Sequence, residues 1–317
     1  MAIIGDDIDR AGQILIEGGL VAIPTETVYG LAANAFNPEA IANVFEAKNR
    51  PSFDPLIVHA RDWDQLTSFT RAWPKPLHIL ANEFWPGPLT LLLEKSSIIP
   101  DLVTSGMPRV AVRIPNHQLT QSLLSSLEFP LVAPSANPFG YISPTTANHV
   151  NDQLGDKLEY ILDGGPCQVG IESTIIGMEG DQPVVYRLGG LDIKEIEAQV
   201  GPVEVRTSSS NPTAPGMLTS HYAPSKRVVV GEMDELLKKY DGRRCGIISY
   251  AKTTVGSIDP NYIYTLTTSN DLHEAAKNLF SSLRFMDQLD IDIILAEYAP
   301  NEGLGLAIND RLSRASS

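Results

Sequence analysis

The chain has 317 residues, 43% of them hydrophobic and 20% charged, with a formal net charge of −14. Such a length exceeds what one small core needs and points to two domains, and an acidic balance that falls mostly before residue 207 (13 Lys and Arg against 25 Asp and Glu) disfavours a broad phosphate-neutralising surface for nucleic acid. With no run of about eighteen apolar residues, no basic or apolar leader in Met1-Ala2-Ile3-Ile4-Gly5-Asp6-Asp7, and only Cys167 and Cys245 as thiols, the expectation is no membrane span, no signal peptide, no disulfide framework and a reducing cytoplasm.

Residues 20–23 form a short apolar run closed by Pro24, a core strand. Asn37-Pro38-Glu39 starts a helix, with Asn as cap and Pro at the first position. Ile41, Val44 and Phe45 recur at helical spacing, and Pro51 stops the helix near Arg50, leaving Lys48 and Arg50 at its C-terminal end, where the dipole favours cations. Strand-like runs follow at 56–59, 89–93, 110–114, 130–133, 160–162, 173–176 and 184–188, with helical segments at 76–84 and 117–127. Residues 207–216 are small, polar and rich in Pro and Gly, a linker. Beyond it, strands at 227–230, 245–250, 262–266 and 291–296 alternate with helices at 233–240 and 271–288. This βαβ rhythm predicts a small Rossmann-like parallel sheet, without the G-x-G-x-x-G fingerprint of a dinucleotide site; Gly303-Leu304-Gly305-Leu306-Ala307 is too short to count as one.

Lys48, Arg50, Arg109, Arg113 and Arg187 lie at element edges. Pairing with a surface acid explains any one of them; together they suit anionic oxygens, which arginine grips in bidentate fashion. Thr25, Thr27, Ser105, Ser135, Ser143 and Ser173 sit in turns or beside Gly and Pro, where hydroxyls ordinarily cap. Ser143 in particular suits the cap of a helix from Pro144 through Val150. His59 closes an apolar strand, a usual place for a hydrogen-bonded structural histidine. Cys167 reads as a packed thiol, Trp85 as core filling in a stiff turn, and Arg113 as structural. Zinc-ligand spacing and a G-x-S-x-G elbow are both missing from the sequence. Tyr222 stands out because a tyrosine inside a linker has no core to fill.

Three runs occur in order: Pro24-Thr25-Glu26-Thr27-Val28-Tyr29-Gly30, then Lys48-Asn49-Arg50-Pro51 with Pro55-Leu56-Ile57-Val58-His59, then Pro134-Ser135-Ala136-Asn137. Together they resemble the YrdC-like family, whose Lys-x-Arg and Ser-x-Asn motifs appear as Lys48/Arg50 and Ser135/Asn137. Over nearly the whole chain the resemblance is to the family's two-domain, threonylcarbamoyl-AMP-forming branch. It implies an α/β fold: a YrdC-like twisted-sheet domain at 1–206, a linker at 207–226 lying as a lid over the site, and a Rossmann-like domain at 227–317. It further implies condensation of L-threonine, bicarbonate and ATP, with Mg²⁺ accompanying ATP and no metal held by protein side chains alone. In that pattern Lys48 and Arg50 are catalytic at the phosphates. Thr27, His59, Arg109, Ala133 and Ser173 surround threonine, and Arg50, Asp54, Ser105, Ser135, Asn137, Ser143, Arg187 and Tyr222 surround ATP. The product would pass to a threonylcarbamoyl transferase acting on an adenosine beside the tRNA anticodon, with at most weak tRNA contact by this chain. Two positions depart from the pattern. Asp54 stands where a neutral polar residue is expected, and Leu218 follows Met217 where relatives often carry lysine. Two alternatives are weaker. Carbamoyl-AMP chemistry of the hydrogenase-maturation type comes with cysteine-rich zinc modules absent here, and an RNA-binding factor would need basic strips that the acidic balance opposes.

Overall fold

A computed structural model describes residues 1–207, 214–215, 221–251 and 258–316. Twelve strands among them form one mixed sheet. From one edge it runs Ile3–Gly5, Tyr160–Leu162, Val21–Ile23, Gly30–Asn34, Leu131–Val132 and Ile57–His59; it continues through Arg109–Arg113, Leu89–Lys95, Thr174–Glu179, Gln182–Arg187 and Glu204–Val205, with Thr70–Arg71 on the end of Leu89–Lys95. The central strands are apolar and buried on both faces, as expected where helices cover a sheet.

The helix Pro38–Lys48 shows how local chemistry sets an element that later positions the site. Asn37 Oδ1 accepts from the amides of Glu39 and Ala40, and the helix ends where Asn49 turns left-handed (φ 52°). Ile41, Val44 and Phe45 face the core, so Lys48 is carried inward at the last turn. At residues 143–150 the cap is Thr146, which accepts from the His149 amide at the head of Ala147–Leu154; Ser143 points elsewhere, to Glu172.

The second unit is a four-stranded parallel sheet in the order Arg227–Val230, Ile293–Ala296, Cys245–Ser249, Ile263–Thr265. Helices Leu272–Gln288 and Gly305–Ala315 pack on it. The latter helix begins inside the Gly-Leu stretch that the sequence reading passed over; its first residues have no side-chain cap to announce it. The two units share a hydrophobic cluster. Val28, Ile142 and Ile171 from the first pack with Phe280, Leu283, Ile308 and Leu312 from the second. Tyr222 belongs to this cluster, stacked on Phe280 with ring centroids 5.3 Å apart, so the expectation that it lacks a core role is corrected. Gly170 (φ +79°) makes the contact possible, since a Cβ there would lie 2.4 Å from the Lys277 Cα. No helix among the described residues is long and apolar enough to cross a membrane.

Candidate active site

One cavity lies where the large sheet meets the linker. Its walls come from the loop after Val21–Ile23 (Thr25, Thr27), from His59 and Arg113 at paired strand ends, from Ala133–Ser135, and from Glu172, Ser173 and Arg187. Arg50, Pro215, His221 and Tyr222 complete them. Of the residues predicted for the site, Thr27, His59, Ala133, Ser173, Arg50, Ser135, Arg187 and Tyr222 meet here.

Each pairing has a local cause. Arg113 sits opposite His59 in the parallel pair of strands. Its Nη1 donates to Thr27 Oγ1 (2.9 Å), Nε to the Gly87 carbonyl (3.1 Å), and Nη2 pairs with Glu26 at 2.7 Å. Thr25 Oγ1 lies 2.8 Å from Thr27 Oγ1 and donates to the Val28 carbonyl, so both hydroxyls are fixed within one tight loop. Arg187 holds Ser173 twice, Nε to its carbonyl at 2.9 Å and Nη2 to Oγ at 3.0 Å, and Thr90 Oγ1 adds a third contact at 2.7 Å. Gly189 passes over the Ser173–Thr174 peptide, where a Cβ would lie 2.3 Å from backbone atoms. Gly189→Ala is therefore expected to lower stability by about 1–3 kcal/mol, because backbone rather than a flexible tip must move. Denaturant titration checks this, and an unchanged midpoint would contradict it.

Three arginines at the site each face an acid. Arg50 pairs with Asp54 (2.9 Å), Arg113 with Glu26 and Arg311 with Glu172 (3.1 Å), all buried. Among the described residues Arg187 forms no ion pair; burial brings its pKa down to about 10, which leaves it charged at neutral pH. Arg187 is thus the guanidinium best placed to meet an incoming anion. Asp54, the acid that stands where a neutral polar residue is expected, faces Arg50.

Several predicted residues stand off the cavity wall. Lys48 is buried beneath the Ser-x-Asn turn, its Nζ donating to the carbonyls of Ser135 and Asn137 at 2.5 Å each. Burial, then the nearby Arg50, pushes its pKa well below the usual lysine value. Asn137 braces the same turn through Nδ2, donating to Pro138 and Tyr141 carbonyls. Asp54 lies behind Arg50, and Ser143 behind Glu172, donating to its Oε1 at 2.6 Å. Ser105 ends the turn Asp101–Thr104 and donates to the Ser52 carbonyl, away from the cavity. Arg109 begins the strand that Arg113 ends, and it is engaged with Glu179, the Tyr186 hydroxyl and the Met178 carbonyl instead. Arg113, read as structural, takes the cavity position. Thr25, Glu172 and His221 are wall residues to which the sequence reading assigned no ligand. Residues 208–213 and 216–220, including the Met217–Leu218 departure, lie outside the described residues.

His59 is held neutral. Burial, then Arg113 and Arg187, lowers its pKa to about 3, against a weaker opposing effect of the Ile57 backbone. Burial likewise brings His221 to about 3. Unfolded histidines take up protons below about pH 6.5, but these two do so only near 3, so stability falls as pH drops through that window. Each contributes up to about 1.4 kcal/mol per pH unit. Glu172 lies at about 2, where burial, which raises it, is outweighed by Arg311, Arg187 and the Ser143 hydroxyl; its contribution is constant above about pH 4.5. Unfolding free energy should therefore drop by roughly 2–3 kcal/mol between pH 7.5 and 5.5, and His221→Gln should lessen the slope. Equal stability at the two pH values would contradict this charge assignment.

A neutral imidazole, three arginines and paired hydroxyls under a second α/β unit define a site for a small, oxygen-rich anionic substrate. A sequence family described as "Telomere recombination" (Sua5, YciO and YrdC) matches residues 13–189, and one described as "Threonylcarbamoyl-AMP synthase, C-terminal domain" matches 191–317. The threonylcarbamoyl-AMP synthase of Pyrococcus abyssi is 42% identical, covering 96% of this chain and 93% of its own. That of Bacillus subtilis is 40% identical, with 98% and 92% covered. The crystal structure of P. abyssi Sua5 complexed with L-threonine has a TM-score of 0.92 and 40% identity, covering 100% of this chain and 97% of the other. The chain belongs to the two-domain threonylcarbamoyl-AMP synthase family.

Proposed function

We infer that this chain condenses L-threonine, bicarbonate and ATP into threonylcarbamoyl-AMP, releasing pyrophosphate. The observation that carries this reading is the cavity's combination of Arg187, which forms no ion pair among the described residues, with fixed hydroxyls and a neutral His59, in a chain alike from end to end to synthases of that product. The threonine amine, deprotonated, adds to CO2 formed from bicarbonate and gives a carbamate. One carbamate oxygen then attacks the α-phosphorus of ATP in line, and pyrophosphate leaves with the bonding pair of the α–β bridge. No covalent bond to the protein is required. Catalysis rests on alignment and on fixed cations facing the charge that spreads over the phosphoryl oxygens.

Thr27 and Ser173, each already bonded to an arginine, are placed to orient threonine, and Arg113 suits its α-carboxylate. His59, uncharged, can accept or donate one hydrogen bond without competing for the carboxylate. Arg187 and Arg50 face the nucleotide's anionic oxygens. Lys48 acts from beneath, fixing the Ser135 turn through its carbonyl contacts. Mg²⁺ enters as part of the nucleotide substrate: no cluster of three or more potential ligands exists among the described residues, and Glu26, Asp54 and Glu172 are each taken by an arginine. The product is handed to a threonylcarbamoyl transferase that modifies an adenosine beside the tRNA anticodon, in the cytoplasm, and tRNA contact by this acidic chain is at most weak. Incubation with ¹³C-bicarbonate, threonine and ATP should yield threonylcarbamoyl-AMP carrying one ¹³C by mass spectrometry. Unlabelled product, or AMP alone, would contradict the reading.

A further inference from the structure

Glu172 is an acid in the wall of a cavity meant for anions. On its own a buried carboxylate there would repel phosphates. Its neutralising partner comes from the other domain, 139 residues along the chain. Arg311, on the C-terminal helix Gly305–Ala315, is fully buried and reaches Glu172 Oε2 through Nη2 (3.1 Å) and Nε (3.3 Å). Nη1 donates to the Leu188 carbonyl, next to Arg187, and the guanidinium lies 5.6 Å from the Tyr222 ring centroid. The other Glu172 oxygen receives Ser143 Oγ at 2.6 Å. A second arginine of the same domain clamps that segment: Arg284, on Leu272–Gln288, donates to the carbonyls of Ile142 (2.5 Å) and Ser143 (3.3 Å). The C-terminal domain thus touches Glu172 in the cavity wall and the Ile142–Ser143 segment behind it through charged, buried donors.

We propose that Arg311 is a positioning residue of the nucleotide site: the C-terminal domain docks to cancel the Glu172 charge and to hold Glu172 and Ser143 against the cavity. The inference rests on the functional reading above, and it gives the second domain a part in substrate binding beyond packing. The chemistry is one of charge balance. With Arg311 in place Glu172 is neutralised within a cluster in which Asp310 lies between Arg311 and Arg314, so the field at the cavity is set by Arg187 and by the Arg113–Glu26 and Arg50–Asp54 pairs. Without it, one net negative charge faces the nucleotide beside Arg187 and turns that arginine's attention from substrate to Glu172.

The test compares ATP binding and turnover in four full-length proteins. Arg311→Met should weaken ATP binding by about tenfold or more, read by calorimetry, and raise the KM for ATP more than it lowers kcat. Arg311→Lys, which keeps the charge, should recover part of the loss. Arg311→Met with Glu172→Gln should recover most of it, because glutamine keeps an acceptor for Ser143 and removes the stranded charge. A purely structural Arg311 predicts no rescue by Glu172→Gln, and that outcome overturns the proposal, as does Arg311→Met binding ATP like the parent chain. If Arg311→Met proves too unstable to assay, the Lys variant carries the test, and unchanged ATP affinity with lowered stability would likewise overturn it. Failure of the parent chain to bind ATP at all would instead sink the functional reading, so the two failures are distinguishable.

Discussion

Arg187→Met should lower kcat/KM for ATP by about 10²–10³-fold while leaving the fold intact. The magnitude follows from what the residue faces. Arg187 is charged at neutral pH and buried, and it forms no ion pair among the described residues; its side-chain hydrogen bonds go to Ser173. A cation held this way is preorganised toward an incoming anion, and its loss is felt where charge develops. Methionine keeps the volume and leaves no acid unpaired, since Glu172 retains Arg311. Ser173 loses two contacts but keeps Thr90, so the melting temperature should move by only a few degrees. Steady-state kinetics with thermal denaturation checks both halves. Activity within threefold of the parent would mean that the phosphates are held elsewhere.

The second large effect separates Arg113 from Arg109. Arg113→Met strands Glu26 in the interior and should cost about 3–5 kcal/mol in stability as well as nearly all threonine-dependent activity. Adding Glu26→Gln removes the stranded charge, so stability should return while activity does not. That split distinguishes a substrate-binding arginine from a structural one. Arg109→Ala, by contrast, breaks a half-exposed pair with Glu179 and should change stability by about 0–1 kcal/mol. Its activity should stay within a few-fold of the parent. Loss of activity in Arg109→Ala with retention in Arg113→Met would reverse the two assignments.

This pair also shows where sequence reasoning stops. Arg109, Ala111 and Arg113 share one face of a strand, so alternation treats the two arginines alike. Only the register, which sets Arg113 beside His59, decides which one reaches the cavity. Elements with strong local signals were legible: the Asn37-Pro38 start and the Pro51 stop bracket the observed helix Pro38–Lys48 closely. The strand Gly30–Asn34 was not, because Gly-Leu-Ala-Ala-Asn has neither alternation nor β-branched residues. The helix Gly305–Ala315 was hidden by its glycine and uncapped start. Tyr222 looked free because its stacking partner, Phe280, is 58 residues away. Glu172 gave no signal at all, since what makes an acid tolerable in that wall is Arg311 in another domain.

The central claim is that one cavity joins threonine, a one-carbon acid and ATP. Pyrophosphate release from ATP, with threonine and bicarbonate each supplied or withheld, tests it most directly. Release that requires both is the predicted result. Release independent of threonine and bicarbonate, or none under any condition, would contradict the account.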